Sequence, residues 1–483
     1  MSRTIRQLGG ALMVLLFALM ANLTWIQVIQ ADDLSTRPGN QRAVLKEYSV
    51  ERGPIVVGSA AVAQSVPSEG TLKYQRVYPD GPLYVPATGF YSRVYGSTGL
   101  EKAENRVLSG ADDRFFVSRL QQLIAGRDQQ GGIVTTTLNA AAQEAAARGL
   151  GTKQGAVAAI DPRTGAILAL VQSPTFDPNV IASSNTSEAQ AYYEKLNADP
   201  AQPLLNRPLV SLVAPGSTFK VVVAAAALES GKYTRDSLLP GPAFYTLPGS
   251  TFQMGNWFDG PCTPSGQITL EESLVVSCNT SFAWLGNQLG EDALREQARK
   301  FGFDTSFEVP MPAASARFPD NPDDAQVALS SIGQFEVRAQ ALAMAQVAGA
   351  VSNAGVTMYP NLVQSISAPD LKVLQSLQPR TFAQALSAEN ARVLSEMMVA
   401  VVNRGTGTNA RIPGVDVAGK TGTAETGNDN PNIAWFIATA PAYSPEVAVA
   451  VVIENTGNPS AEVSGNQLAA PIARDVIRAV LNK

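Results

Sequence analysis

A serine and a lysine three residues apart, Ser217 and Lys220, are the side chains of this sequence best placed for covalent chemistry. Pro215 and Gly216 interrupt the preceding chain, and the Ala- and Val-rich run after them predicts a helix that ends at Gly231. Ser217 is therefore expected at a helix N-terminus, where unpaired N–H groups and the helix dipole favour developing negative charge. Lys220 follows about one turn later on the same face, so a desolvated amine could take the proton of the serine hydroxyl.

The absence of histidine limits how such a serine could be activated. None of the 483 residues is histidine, which excludes a Ser-His-Asp triad and any histidine metal site. A serine nucleophile in this chain needs a lysine or a carboxylate as its base, and neither a metal nor a cofactor is expected. A Ser-x-x-Lys pair can arise by chance, but Ser217 and Lys220 form the only one in the sequence.

A second stretch with chemical character is 420–423, Lys-Thr-Gly-Thr, and it fits two patterns. Residues 414–421 satisfy the P-loop pattern of NTPases letter for letter. A P-loop must follow a strand and open a helix, whereas Val415 and Val417 alternate through this segment, and the Thr- and Gly-rich residues after it cannot start a helix. We therefore interpret the P-loop match as accidental.

The other pattern is a Lys-Thr-Gly sequence on an edge strand that lines a serine active site. There, Lys420 would supply positive charge for a substrate carboxylate, and Gly422 would let the substrate backbone approach closely. A Ser-x-Asn pattern is less specific, because it begins at Ser183, Ser277 and Ser464. Ser277 is the candidate, since it fits the chain order of the other two motifs and interrupts a largely apolar segment.

Composition and periodicity indicate a globular α+β chain. Hydrophobic residues make up 45% and charged residues 16%, so large cores are possible, and the length predicts two or three domains. Apolar strands are predicted at 155–160, 166–171, 433–438 and 447–453, with helical segments between the first and second pair. This order predicts an antiparallel sheet flanked by an all-helical subdomain. The net charge of −5, without a basic cluster, argues against nucleic-acid binding.

The N-terminal residues predict a membrane anchor. An uncharged apolar stretch from Leu8 to Ile29 would span about 33 Å as a helix, against about 30 Å for a bilayer core. Arg3 and Arg6 precede it and the aspartates at 32–33 follow, so the N-terminus is expected in the cytoplasm and the rest of the chain outside it. The alternative is a cleaved signal peptide, which fits less well because the apolar run is long and Ile29 stands where a small residue is needed.

The three motifs, which begin at Ser217, Ser277 and Lys420, resemble in order and spacing those of the penicillin-binding and serine β-lactamase superfamily. A membrane anchor, a pedestal and a catalytic domain in this order are similar to a class B penicillin-binding protein, of the short-pedestal actinobacterial kind. The resemblance implies three parts: a cytoplasmic tip and anchor at 1–32, an N-terminal pedestal or interaction domain at 33–150, and a transpeptidase domain at 151–483.

The resemblance implies a serine-type D,D-transpeptidase that forms an acyl-enzyme with peptidoglycan stem peptides and is acylated by β-lactams. In the family pattern Ser217 is the nucleophile, Lys220 the base and Ser277 the relay that passes a proton to the leaving amine. Asn279 would bind the substrate amide, and the strand motif would bind the terminal carboxylate. The resemblance also implies Lys420 as a catalytic residue and three substrate-binding residues, Thr421, Gly422 and Thr423. The backbone N–H groups of Ser217 and Thr423 would form the oxyanion hole.

The resemblance also implies partners and leaves alternatives. A separate membrane glycan polymerase is implied, together with divisome or elongasome proteins. The alternatives are a membrane-anchored β-lactamase, a β-lactam sensor and a non-catalytic division scaffold. A class A β-lactamase would have a Glu-x-x-x-Asn sequence between Asn279 and Lys420, where this chain has none. A sensor would need a cytoplasmic signalling module, and a scaffold would not need three intact motifs.

Cys262 and Cys278 are the only two cysteines, and Cys278 stands inside the Ser277-x-Asn279 motif. They could be two buried thiols or one disulfide. The even count and the predicted location outside the cytoplasm favour a disulfide. Such a bond would close a loop of roughly 17 residues and contribute about 3 kcal/mol in the chain-entropy model.

Overall fold

The computed structural model describes residues 3–30, 48–68, 72–116, 119, 124, 128–307, 309–425, 432–454 and 464–482. It has α-helices at Arg3–Thr24, Gly81–Thr88, Gly99–Ala103, Asn105–Leu108, Ala140–Leu150, Pro178–Ile181, Thr186–Ala198, Arg207–Val210, Lys220–Glu229, Leu270–Val275, Asn279–Leu289, Glu291–Lys300, Asp324–Ser330, Ala341–Ser352, Ala388–Arg404, Gly465–Leu468 and Ala470–Leu481. Short 3-10 helices lie at Asp113–Phe115, Gly216–Phe219 and Thr408–Ala410, and a π-helical turn at Trp25–Ile29. The longer β-strands are Ile55–Val57, Ala60–Pro67, Tyr74–Val77, Ile133–Thr136, Gly155–Ile160, Ile167–Ser173, Val363–Ser367, Val373–Ser376, Ala418–Ala424, Ile433–Ala440 and Val447–Ile453. Two-stranded ribbons pair Tyr91–Ser92 with Gly96–Ser97, Leu238–Pro240 with Gln267–Thr269, Phe244–Thr246 with Gln253–Gly255, and Val356–Met358 with Thr381–Gln384.

The N-terminal apolar stretch forms one helix that stands apart from the rest of the described chain. Arg3–Thr24 continues directly into the π-helical turn Trp25–Ile29. Its segment Ile5–Gln27 is long and apolar enough, by length and composition, to cross a membrane, and none of it is buried. The aspartates at 32–33, on which the predicted orientation depends, lie outside the described residues.

The central sheet consists of five strands in the order 418–424, 433–440, 447–453, 155–160 and 167–173. Every neighbouring pair in it is antiparallel. The strand that carries Lys420 is therefore an edge strand, with one side of its backbone free to meet other parts of the protein. The predicted α+β class, with an antiparallel sheet flanked by helices, is confirmed.

Side-chain alternation along the central sheet explains how it packs between two layers of helices. In Val447–Ile453 the small residues Ala448 and Ala450 face the core that contains the helix Ala341–Ser352. The valines between them face a second core, which contains the helices 140–150 and 470–481. Because alanine is small, the Ala-rich helix can lie close to the sheet there; a Cβ atom on Gly349 would lie 3.3 Å from the Cβ of Ala448, closer than an ordinary van der Waals contact.

The helical part of the molecule is organised around the buried helix Lys220–Glu229. All of its residues from Lys220 to Leu228 are buried, so it is apolar on every side apart from that lysine. It packs against four further helices, which are Leu270–Val275, Asn279–Leu289, Glu291–Lys300 and Ala388–Arg404. The first two of these flank the Ser-x-Asn motif.

A second sheet of six strands lies in the N-terminal part of the chain. Its order is 373–376, 363–367, 133–136, 55–57, 60–67 and 74–77, and only the pair formed by 55–57 and 133–136 is parallel. Its two outermost strands on one side come from 363–376, far along the sequence within the segment predicted as the transpeptidase domain. The sheet thus joins the two parts of the chain.

A buried ion cluster connects the segments of this N-terminal part. The fully buried Glu101 carboxylate accepts hydrogen bonds from Arg52 Nε and Arg76 Nε, both at 2.6 Å. Burial alone would raise the pKa of Glu101, but the two guanidinium groups lower it below its ordinary value. The carboxylate is therefore ionised and bridges the two arginines.

We expect the substitution Asn139→Ala to lower the free energy of unfolding by about 1 kcal/mol. Asn139 caps the helix Ala140–Leu150, because its side-chain oxygen accepts a hydrogen bond from the Ala142 amide at 3.0 Å. Chemical unfolding of the variant and the wild type measures the difference. Asn139→Asp keeps an acceptor and should remain close to wild type; an equally stable alanine variant would contradict the capping role.

Candidate active site

The predicted nucleophile lies on a tight turn ahead of the buried helix. Ser217 belongs to the 3-10 turn Gly216–Phe219, which leads directly into the α-helix beginning at Lys220. Thr218 fixes the turn by donating its hydroxyl to the Pro215 carbonyl at 2.7 Å. Ser217 is half-buried, and within the described chain its hydroxyl has no hydrogen-bond partner. The serine is thus held at its backbone while its side chain is free.

The Lys220 amine is fully buried and surrounded by uncharged acceptors. Its Nζ donates to the Ser277 carbonyl at 2.8 Å and to Asn279 Oδ1 at 2.7 Å, and lies 3.3 Å from Ser277 Oγ. Burial, and secondarily the positive charge of Lys420, hold the pKa of Lys220 well below its ordinary range. No described carboxylate pairs with it, so no neighbouring negative charge offsets this lowering of the pKa.

The Ser-x-Asn motif is the junction between two helices. The helix Leu270–Val275 ends just before Ser277, and the next helix, Asn279–Leu289, begins at the last residue of the motif. Ser277 has φ of 59°, in the left-handed region that side chains other than glycine seldom occupy. In this conformation both its carbonyl and its hydroxyl face Lys220. Backbone strain at a position with this geometry is typical of functional sites.

Lys420 brings a second buried amine to Ser277. It lies in the edge strand Ala418–Ala424, and its Nζ donates to Ser277 Oγ and to the Thr421 carbonyl, both at 2.9 Å. Burial lowers the pKa of Lys420 to about 7. Because the strand continues through Ala424, no helix opens after Thr421. The P-loop interpretation is therefore excluded.

The edge strand contacts the nucleophile turn at two glycines, because glycine has no Cβ atom to separate the two backbones. A Cβ atom on Gly216, which has φ of 54°, would lie 2.5 Å from the Thr423 carbonyl oxygen. A Cβ atom on Gly422 would lie 2.8 Å from the Pro215 carbonyl oxygen. The structure shows that Gly422 makes room for the nucleophile turn; its role in letting the substrate backbone approach stays a prediction. The close contact brings Thr423 beside Ser217.

The two threonines of the strand motif differ in their surroundings. Thr421 is buried, and its hydroxyl lies 2.7 Å from the hydroxyl of Thr406, whereas Thr423 is half-buried. Thr406 also donates its amide to the Val275 carbonyl at 3.2 Å, so it joins the strand motif to the helix before Ser277. Sequence reasoning missed Thr406, because nothing in its local pattern distinguishes it from an ordinary loop residue.

Cys262 and Cys278 form a disulfide bond, with their Cα atoms 5.9 Å apart. The bond fastens the segment 238–269, which contains two short ribbons, to the middle residue of the Ser-x-Asn motif. Among the described residues no group of acidic or cysteine side chains is arranged to hold a metal ion. The site therefore consists of one free serine, two buried amines and the hydroxyl and amide groups between them.

We expect Lys420→Met to remove part of the rise in stability with pH. A buried lysine with a folded-state pKa of about 7, against about 10.4 when unfolded, binds its proton only in the unfolded chain between these values. Stability must then increase with pH through this window, by about 1 kcal/mol per pH unit for one such group. Unfolding free energies at pH 7, 8 and 9 test this. Parallel slopes for the variant and the wild type would contradict the depressed pKa.

Comparison with known proteins places these motifs in a family. The model of the penicillin binding protein transpeptidase domain matches residues 155–478, and that of the penicillin binding protein A dimerisation domain matches residues 52–134. The peptidoglycan D,D-transpeptidase PbpA of Mycobacterium tuberculosis H37Rv is 43% identical over 490 residues, covering 100% of this chain and 99% of the relative. PbpA of Mycolicibacterium smegmatis is 42% identical over 492 residues, covering 100% of both.

A solved structure agrees with these relatives. Penicillin-binding protein A from M. tuberculosis, determined as a ceftriaxone acyl-enzyme complex, superposes with a TM-score of 0.88 at 42% identity. The match covers 90% of this chain and 100% of that one. The family resemblance predicted from the three motifs is confirmed, and the chain belongs to the class B penicillin-binding proteins.

Proposed function

We propose that this protein is a peptidoglycan D,D-transpeptidase that cross-links stem peptides through an acyl-enzyme on Ser217. The observation that carries the proposal is the buried Lys220 amine, which has a lowered pKa and lies within 3.3 Å of Ser277 Oγ and 2.7 Å of Asn279 Oδ1. The full-length relatives named as peptidoglycan D,D-transpeptidases support the same reaction.

In the first half-reaction Ser217 Oγ attacks the carbonyl carbon of the penultimate D-Ala of a stem peptide. The new C–O bond gives a tetrahedral intermediate, whose oxyanion is stabilised by the backbone N–H groups of Ser217 and Thr423. Breaking the C–N bond then releases the terminal D-Ala and leaves an ester on the serine. The contact between the nucleophile turn and the edge strand supports this pairing of N–H groups, because it brings the two residues side by side.

The proton of the serine passes to Lys220. A neutral amine has two N–H donors and one lone pair; the donors of Lys220 are taken by the Ser277 carbonyl and Asn279 Oδ1. Its lone pair is then available to the Ser217 hydroxyl. Ser277 Oγ, which lies between the two amines, then relays this proton: its hydroxyl donates to the leaving nitrogen of D-Ala while it takes a proton from Lys220 Nζ. The proton count closes, since the one removed from Ser217 equals the one gained by the amine.

Substrate recognition is assigned to the strand motif and to Asn279. A protonated Lys420 supplies positive charge beside the terminal carboxylate, and the hydroxyls of Thr421 and Thr423 donate hydrogen bonds to it. Asn279 binds the amide of the stem peptide. Gly422 is assigned to the same substrate-binding strand, and its missing side chain also lets that strand contact the nucleophile turn.

In the second half-reaction the amine of a neighbouring stem peptide attacks the ester. The attacking nitrogen loses a proton, which passes through Ser277 to Lys220, as the new amide bond forms; Lys220 gives a proton to Ser217 Oγ when the C–O bond of the ester breaks, and the cross-linked peptide leaves. A β-lactam enters the same first step, but its opened ring stays attached to the serine, which makes a stable acyl-enzyme the expected product. The relative determined as a ceftriaxone acyl-enzyme complex supports this expectation.

We place the protein at the cell membrane, with the N-terminus in the cytoplasm and residues 151–483 as the transpeptidase domain outside it. The apolar helix Ile5–Gln27 supports an anchor, and the disulfide supports an oxidising compartment. Residues 33–150 are the proposed pedestal, and a membrane glycan polymerase with division or elongation proteins is the proposed set of partners.

Ser217→Ala should abolish covalent labelling by penicillin. Intact mass spectrometry of the wild type after exposure to penicillin should show one added drug mass that is released slowly. The matched control is Ser230→Ala, at the other end of the same helix, where the hydroxyl donates only to the Ala227 carbonyl. An adduct on Ser217→Ala would refute the assignment of the nucleophile, and rapid turnover by the wild type would indicate a β-lactamase.

Lys220→Arg should slow acylation by about 10²- to 10⁴-fold. Arginine is a cation of similar length, but its pKa is so high that it stays protonated and has no lone pair to accept the serine proton, so the base is lost. Stopped-flow or quenched mass measurements of the acylation rate give the comparison. Lys232→Arg, an exposed residue just beyond the helix, is the control. An arginine variant that acylates at the wild-type rate would remove Lys220 from the role of base.

A further inference from the structure

The helix Asn279–Leu289 receives no capping hydrogen bond from the side chain of its own N-cap residue. Its N-cap residue is Cys278, whose sulfur is bonded to Cys262 and makes no capping hydrogen bond. The cap is supplied by a distant residue, because Asn256 Oδ1 accepts hydrogen bonds from the amides of Asn279 at 3.0 Å and Thr280 at 3.2 Å. Asn256 belongs to the disulfide-linked segment 238–269.

The orientation of the Asn256 side chain is fixed from both ends. Its Nδ2 donates to the Pro242 carbonyl at 3.2 Å and to the Gly260 carbonyl at 3.1 Å. Both of these partners are acceptors, and both partners of Oδ1 are donors, so only one orientation of the amide satisfies all four contacts. The side chain therefore joins its own loop to the first turn of the Asn279 helix.

The residues on each side of Asn256 contact the same motif. The Gly255 carbonyl accepts a hydrogen bond from Asn279 Nδ2 at 3.3 Å. Trp257 Nε1 donates to the Val276 carbonyl at 2.9 Å, although the indole is 65% exposed. Three consecutive residues thus hold the chain immediately before and after Ser277, where the backbone is left-handed.

We propose that Gly255–Trp257 is a positioning element for the transpeptidase reaction, in which Asn256 holds Ser277 and Asn279 against the base Lys220. The inference rests on the proposed function. Lys220 Nζ contacts the Ser277 carbonyl and Asn279 Oδ1, so the position of the base depends on the position of this motif. Asn256 touches no substrate; it acts through the two amides that it caps.

The left-handed backbone of Ser277 explains why loss of the Asn256 contacts should affect catalysis. A serine at φ of 59° relaxes toward the commoner negative φ when its neighbours release it. Relaxation would turn the hydroxyl away from Lys420 Nζ and Lys220 Nζ, which lie 2.9 and 3.3 Å from it. A displacement of about 1 Å at such a group can cost about 10²-fold in rate.

The experiment measures acylation of the full chain by penicillin, resolved into the binding constant Ks and the rate constant k2, in four proteins. Asn256→Ala should lower k2 at least about tenfold with little change in Ks, because the drug still binds but meets a misplaced proton relay. Asn256→Asp keeps the acceptor for both amides but loses the two donors to the Pro242 and Gly260 carbonyls, so its k2 should lie between those of Asn256→Ala and the wild type. Asn139→Ala removes a cap from another helix of the same length and should leave k2 unchanged.

Three outcomes of these measurements would contradict the proposal. Unchanged k2 in Asn256→Ala, equal losses in Asn256→Ala and Asn256→Asp, or an equal loss in Asn139→Ala would overturn the positioning role. If Asn256→Ala does not fold, Trp257→Phe, which removes only the indole donor, should lower k2 about fivefold, and an unchanged k2 would overturn the proposal. A wild type that is not acylated at all would refute the proposed function itself, which keeps the two failures distinct.

Discussion

The active site depends on keeping the Lys220 amine buried without a carboxylate beside it. Removing an ammonium ion from water costs several kcal/mol, so the group avoids this cost by losing its proton. The remaining N–H donors still need acceptors, and the Ser277 carbonyl and Asn279 Oδ1 provide them without adding charge. An aspartate or glutamate in their place would satisfy the same donors but hold the proton on the lysine. These uncharged acceptors therefore allow the buried lysine to lose its proton and to remain available as a base.

This arrangement requires the backbone of the nucleophile turn to contact the backbone of the edge strand of the central sheet. The absence of Cβ atoms at Gly216 and Gly422 removes the obstacle, and Trp435 Nε1 reinforces the contact by donating to the Ala214 carbonyl at 2.9 Å. The nucleophile turn is therefore fixed by the sheet on one side and by its own buried helix on the other. Rigidity of this kind suits a reaction in which the serine, the base and the oxyanion donors must be in register before substrate arrives.

The sequence predicted those parts of the site whose residues lie close to one another in the chain. Ser217 and Lys220 share one helical turn, so their spacing singled them out, whereas Lys420 and Thr423 were assigned through the resemblance of the strand motif to the family pattern. Strand alternation and Ala-rich helices likewise indicated the antiparallel sheet and its helical neighbour. Asn256 was not found because its partner Asn279 is 23 residues away, and an asparagine in a Gly-rich loop has no local signal of a cap. The pairing of 363–367 with 133–136 was missed for the same reason, since strand order depends on contacts distant in sequence.

The two buried lysines divide the chemistry between them. Each positive charge disfavours protonation of the other, so near neutral pH the pair holds one proton in preference to two. Burial lowers the pKa of Lys420 to about 7, while burial and, secondarily, the positive charge of Lys420 hold the pKa of Lys220 well below its ordinary range. The proposed mechanism assigns this proton to Lys420, at the edge strand where a cation is needed for the substrate carboxylate. Lys220 remains unprotonated beside Ser217, where the mechanism needs a base. Two residues of one type thus take opposite roles because the fold separates their pKa values.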